Sequence, residues 1–144
     1  MMKRRFHRLF SDCSGSVVIE FALIGPVMIT MLFGVLQIGL AMQNYNALRS
    51  ASADAARYAV VNYQALNNLN DTQIAARARS LAVSPPYGLI SANLTVSLQT
   101  ATTQRVAGAT EKTLSLTYRI PTVLSIIGFG QIPITYNRPI FLIV

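Results

Sequence analysis

From Val17 to Leu48 the chain carries one charged side chain, Glu20, and from Val17 to Met42 it is apolar almost without interruption. A helix that is hydrophobic all round belongs in a core or in lipid. These 26 residues extend about 39 Å as a helix at about 1.5 Å per residue, against about 30 Å of bilayer hydrocarbon, so the segment can span once with some tilt. Past Met42 the pattern turns amphipathic. Ala41, Tyr45, Leu48, Ser52, Ala55, Ala59 and Tyr63 recur at spacings of three or four, while Gln43, Asn46, Ser50, Asp54 and Arg57 fall on the other side. The pattern predicts one unbroken helix from about Val17 to Asn62, with its later polar half against solvent. Ala55 and Ala59, on the apolar face, are expected to be helix-packing positions, and Ala47 and Ala51 plain helix formers. Asp54 and Arg57, three apart, are placed to form a weak surface pair. Gly25 and Pro26 predict a kink near 22–26, because proline removes a helix hydrogen bond; membrane helices also accommodate proline without further consequence.

Asparagines between Asn62 and Asp71 end this helix, and Asp71 is expected to cap a second, short one with Ile74, Ala75, Ala78, Leu81 and Ala82 inside and Arg77 and Arg79 outside. Ser84-Pro85-Pro86-Tyr87-Gly88 stops it. Leu94, Val96 and Leu98 alternate with Thr95, Ser97 and Gln99, and Leu114, Leu116, Tyr118 and Ile120 alternate with Ser115, Thr117 and Arg119. These are two half-buried strands joined by a polar loop containing Gly108. The apolar tail is interrupted by Pro121, Pro133 and Pro139, so it cannot be one membrane helix; Ile132–Tyr136 and Ile140–Val144 read as strand-like pieces that follow a loop or turn over Leu124–Gly130. The predicted class is α+β: a basic leader (1–15), a transmembrane and spine helix (16–62), and a small exported head (63–144) with a short helix and an antiparallel sheet.

At 144 residues, 52% of them hydrophobic, there is room for one small domain attached to its helix. The net charge of +7 does not form a phosphate track: Lys3, Arg4, Arg5 and Arg8 crowd the leader, and the other cations are scattered without interleaved aromatics, so nucleic acid is not expected as a partner. Basic residues beside a span instead orient it, basic end in the cytoplasm and head outside. Cys13 is the only cysteine. With no disulfide available, the head must rely on packing against its own helix or partner subunits.

Three fates of the N-terminus are open. A secretory cut near Gly39-Leu40-Ala41 or Ala51-Ser52-Ala53 requires an apolar run far longer than an ordinary signal peptide. An uncut chain is a bitopic anchor whose head binds another envelope protein. A cut between Gly15 and Ser16 removes the leader, keeps the span, and bares an amine four residues, about one helical turn, before Glu20. Such an amine titrates near 8 when unperturbed and is a natural counter-charge for that carboxylate. In the plainer account Glu20 snorkels to the headgroups or pairs with Arg8.

The basic leader, Gly15 at the joint, Glu20 five residues on with Phe21 beside it, and the uninterrupted span together resemble the class III signal of type IV prepilins. More narrowly, Gly15-Ser16-Val17-Val18-Ile19-Glu20-Phe21-Ala22-Leu23-Ile24-Gly25-Pro26, then Leu32-Phe33-Gly34-Val35 and Ala55-Ala56-Arg57-Tyr58-Ala59, resemble the TadE-like pseudopilin family. That resemblance covers residues 13 to about 60. It implies a minor pilin or pseudopilin of the tight-adherence (Flp pilus) machinery in the bacterial inner membrane, processed by a prepilin peptidase. It also implies partners among other pilins or pseudopilins, an inner-membrane assembly platform and membrane lipid. Beyond Gly15 the sequence has no His and no Cys, and its acids are Glu20, Asp54, Asp71 and Glu111. No nucleophilic, metal or cofactor chemistry is expected from that set, and Asn93-Leu94-Thr95 reads as an incidental glycosylation match.

Overall fold

Apolar residues followed by an amphipathic stretch, with no strong helix stop between them, fold as one helix, α1 (Ser14–Gln64). A computed structural model describes residues 14–67, 69–122, 128 and 130–143. Residues 1–13 of the expected leader, with Lys3, Arg4, Arg5, Arg8 and Cys13, most of the expected 124–130 turn, and Val144 lie outside the described residues. The architecture is α+β: after α1 come a short helix α2 (Asp71–Val83), a single 3₁₀ turn (Ser91–Asn93) and strands β1 (Leu94–Thr100), β2 (Thr110–Ile120) and β3 (Ile132–Leu142). The strands form one antiparallel sheet in the order β1-β2-β3. A boundary between two compact units falls inside α1, between Leu36 and Gln37.

The C-terminal half of α1 forms part of the head core. Leu48, Ala51, Ser52, Ala55 and Ala59 are buried, together with Ile74, Ala78 and Ala82 of α2. Ala51 therefore belongs to the buried stripe and is more than a helix former; sitting four before Ala55 on the same face, it keeps the helix surface shallow where the core closes on it. The sheet contributes its even-numbered positions. Leu94 faces Tyr118, Val96 faces Leu116 and Leu98 faces Leu114, and on the other side Leu116 faces Tyr136 and Tyr118 faces Ile134. The odd positions form a polar outer face, with the Thr117 and Thr135 hydroxyls 2.9 Å apart.

The tail differs from its expected form: the two strand-like pieces are a single strand, β3, that runs through Pro133 and Pro139. The prolines are six residues apart, so both missing N–H groups point to the same edge. β3 is an edge strand, and that edge can be the outward one, where no ladder bond is lost. Leu142 is buried, Phe141 is half-buried and Ile143 is exposed.

Polar contacts fix the helices to the sheet. Arg138 of β3 donates through Nε to Ser52 Oγ at 3.0 Å, and Ser52 Oγ donates to the Arg49 carbonyl at 2.7 Å, so the buried hydroxyl is satisfied. Tyr136 meets Tyr45 edge-to-face at 5.7 Å. Lys112 pairs with Asp71. Asp71 is not the cap of α2: Asn70 Oδ1 accepts from the Gln73 N–H at 2.8 Å and Gln73 Oε1 accepts from the Asn70 N–H at 2.9 Å, a reciprocal capping box. One position into the helix, Asp71 is left to complement the helix dipole and Lys112. Asp54 does not pair with Arg57; its Oδ2 accepts from the Tyr87 hydroxyl at 2.7 Å, which raises the Tyr87 pKa above its ordinary value.

The β1–β2 loop is held by Glu111. Its carboxylate accepts from Arg105 Nε at 2.8 Å and from the Arg105 backbone N–H at 3.2 Å, while the Arg105 guanidinium lies 5.4 Å over the Phe141 ring. Gln104 closes the same loop, accepting from the Glu111 N–H and donating to the Ala101 carbonyl at 2.9 Å. Gly108 takes φ +81 there, a conformation that favours glycine. The hydrogen bonds from Arg105, more than its charge, hold the Glu111 pKa below its ordinary value near 4.5. A depressed carboxylate pKa stabilises the fold above the unfolded value, and that stabilisation is lost as pH falls through the folded one. Hydrogen exchange at the Arg105 amide is therefore expected to stay slow from neutral pH down to the ordinary carboxylate range and to accelerate, beyond the intrinsic pH trend, below it; protection unchanged in strong acid would contradict the latch.

α1 ends in a Schellman motif. The Asn67 N–H reaches the Asn62 carbonyl and the Leu66 N–H the Tyr63 carbonyl, both at 3.0 Å, with Leu66 at φ +59. Leucine occupies the position that glycine normally takes, and its side chain is exposed. Leu66→Gly is expected to stabilise the head by about 0.5–1 kcal/mol, since left-handed backbone strain outweighs glycine's entropy in the unfolded chain here. Thermal unfolding of the full chain in detergent checks this, and a lowered midpoint would contradict it.

Candidate functional site

The joint lies in the first turn of α1. Ser14 and Gly15 already have helical backbone, so the Gly15–Ser16 peptide bond lies within the described helix. Ser16 and Glu20 are four residues apart in one continuous helix. They share a face, and an amine at residue 16 would stand about a turn from the Glu20 carboxylate. Glu20 is exposed, as are Val17, Val18, Ile19 and Phe21 around it.

That exposure continues along the apolar stretch. Leu23 and Val35 are each about 70% exposed, and α1 is long and apolar enough to cross a membrane. A surface of this extent calls for lipid or other helices. Gly25 and Pro26 lie inside α1, which continues without a break across both. Pro26 has no N–H for the Ala22 carbonyl, and the Thr30 hydroxyl donates to the Pro26 carbonyl at 2.7 Å. The Phe21 ring passes 3.8 Å from where a Cβ on Gly25 would stand, an ordinary contact, so bulk alone does not demand glycine at this position.

Gly15, Ser16, Glu20, Phe21, Gly25 and Pro26 thus occupy three successive turns at one end of α1, while Ala55 and Ala59 are elsewhere, buried in the head core. The head carboxylates do not converge. Asp54, Asp71 and Glu111 bond to Tyr87, Lys112 and Arg105 respectively, and no group of three or more His, Cys, Asp or Glu side chains assembles among the described residues. Tyr87 meets Asp54 from 33 residues away and Arg105 meets Glu111 across the hairpin loop, so no local pattern marks either partner. Gln37, a polar residue within the apolar run, is buried.

No curated protein and no solved structure matches the chain. Residues 15–57 match the family model of TadE-like proteins, a stretch that opens on the Gly15 joint, takes in Glu20 and the apolar helix, and closes on the turn that carries Ala55 and Arg57.

Proposed function

We propose that this chain is a minor pilin or pseudopilin that helps to initiate or assemble a tight-adherence (Flp-type) pilus, after a prepilin peptidase cleaves between Gly15 and Ser16. The TadE-like match points to that class of system. The observation that carries the reading is the position of Glu20: five residues past Gly15 and four past Ser16, on an exposed apolar helix with no other charge before Arg49.

An uncompensated carboxylate costs about 2.5–3.5 kcal/mol at mid-bilayer and less near an interface. Cleavage would supply the compensation, because the Ser16 amine would be largely cationic at neutral pH and within a turn of Glu20 on its own chain or beside it on a neighbour's. The four leader cations argue for a cytoplasmic N-terminus, which puts the head outside the inner membrane. The exposed apolar face would then pass from lipid to the helices of other pilins or pseudopilins at an assembly platform, with Pro26 as a weak point in the helix. No catalytic role is part of this reading. A second one, an uncut bitopic anchor whose head binds another envelope protein, draws on the helical state of the Gly15–Ser16 bond, which a peptidase has to unwind.

Two substitutions separate the steps. Gly15→Ala is expected to leave the leader attached, seen as an intact mass that still includes it; normal processing of this variant would contradict the assigned cut. Glu20→Ala is expected to be cut normally yet to reduce piliation at least several-fold by electron microscopy, and wild-type piliation would remove the carboxylate from the mechanism.

A further inference from the structure

The head has eight cations and three carboxylates between Gln37 and Val144, and every one of those carboxylates is committed inside the fold, to Tyr87, Lys112 and Arg105. Among the guanidiniums, Arg79 donates to Ser91 and Arg138 to Ser52, both as local braces. Arg57 and Arg77 differ: both are exposed, neither has a carboxylate partner among the described residues, and both line one open cleft of about 330 Å³ between α1 and α2. The cleft is otherwise walled by Tyr58, Val61, Asn62, Leu81 and Asp54, whose Oδ2 accepts from the Tyr87 hydroxyl. The Arg77 guanidinium lies 5.2 Å over the Tyr58 ring. Stacking there steadies the guanidinium plane and leaves its N–H edges free.

We propose that this cleft docks an acidic peptide segment of a partner protein, with a carboxylate received by Arg57 and Arg77 and a neighbouring apolar side chain laid on Tyr58, Val61 and Leu81. Charge complementarity selects the acid, since the cleft holds two guanidiniums against the one carboxylate of Asp54, and planar guanidiniums match carboxylates edge to edge. The apolar wall selects a peptide over a bare anion: Val61 is 56% exposed, and a buried apolar contact beside charge-assisted hydrogen bonds is the anatomy of a protein interface. A lipid headgroup is disfavoured by position. Arg57 lies fifteen residues beyond Met42, roughly 22 Å along the helix at about 1.5 Å per residue, past the end of the apolar run. The proposal does not depend on cleavage at Gly15.

The test is NMR on the full chain in zwitterionic micelles, observing the Arg57 and Arg77 Nε–H signals and the Tyr58 ring during titration with an alternating Glu-Leu peptide. Saturable, salt-sensitive shifts confined to those signals are expected, with affinity at least tenfold weaker in the Arg57→Gln/Arg77→Gln double variant and unchanged in Arg119→Gln, which alters an exposed cation on the outer sheet face. A Lys-Leu or Ser-Leu peptide on the unaltered chain should give no shifts, a comparison that needs no variant to fold. Equal response to those peptides, absence of shifts at the three residues, an effect of Arg119→Gln as large as that of the double variant, or equal responses to inorganic phosphate or to phosphatidylglycerol vesicles would each overturn the proposal.

Discussion

One helix must satisfy two surroundings, and the rest of the molecule follows from its continuity. α1 begins as a cylinder of exposed Val, Ile, Leu, Met and Phe and ends as a wall of the head core, with no loop between the two roles. Small residues make the second role possible. Ala51, Ser52, Ala55 and Ala59 leave a shallow surface onto which the head packs, so a chain without a disulfide among its described residues closes its core on its own helix.

The head's polar contacts share one logic. Lys112–Asp71 ties the start of α2 to the sheet, Arg138–Ser52 ties β3 to α1, Tyr87–Asp54 ties the turn after α2 back to α1, and Arg105–Glu111 closes the hairpin. Each joins segments that the hydrophobic pattern leaves free to slide. The exposed Tyr87–Asp54 bond contributes little stability by itself, whereas Ser52 and Glu111 are buried and need their partners; together these contacts set register and orientation.

Much of this was legible in the residues. Alternation in β1 and β2 identified which side chains face the core, and the three-and-four spacing past Met42 identified the buried side of α1, because burial on one face leaves a periodic trace. Other features were not, for physical reasons. Asn70 and Asp71 are both competent caps, and a shift of one residue is decided by Gln73 and Lys112 together. Pro133 and Pro139 read as strand breaks until the strand is known to be an edge and their even spacing is set against it. Ser52 with Arg138 and Asp54 with Tyr87 are paired by the fold across long stretches of chain, so neither leaves a local signal. At the N-terminal end of α1 the order of Gly15, Glu20 and the apolar run is legible without any tertiary contact, because all three lie along one helix.

Under the function proposed above, the chain keeps its apolar helix and loses what precedes it, so that a new ammonium meets Glu20. The most direct measurement is the first residue of the protein recovered from the membranes of its own host. The account predicts Ser16; a chain that still begins at Met1, or one that begins beyond the span near Met42, contradicts it.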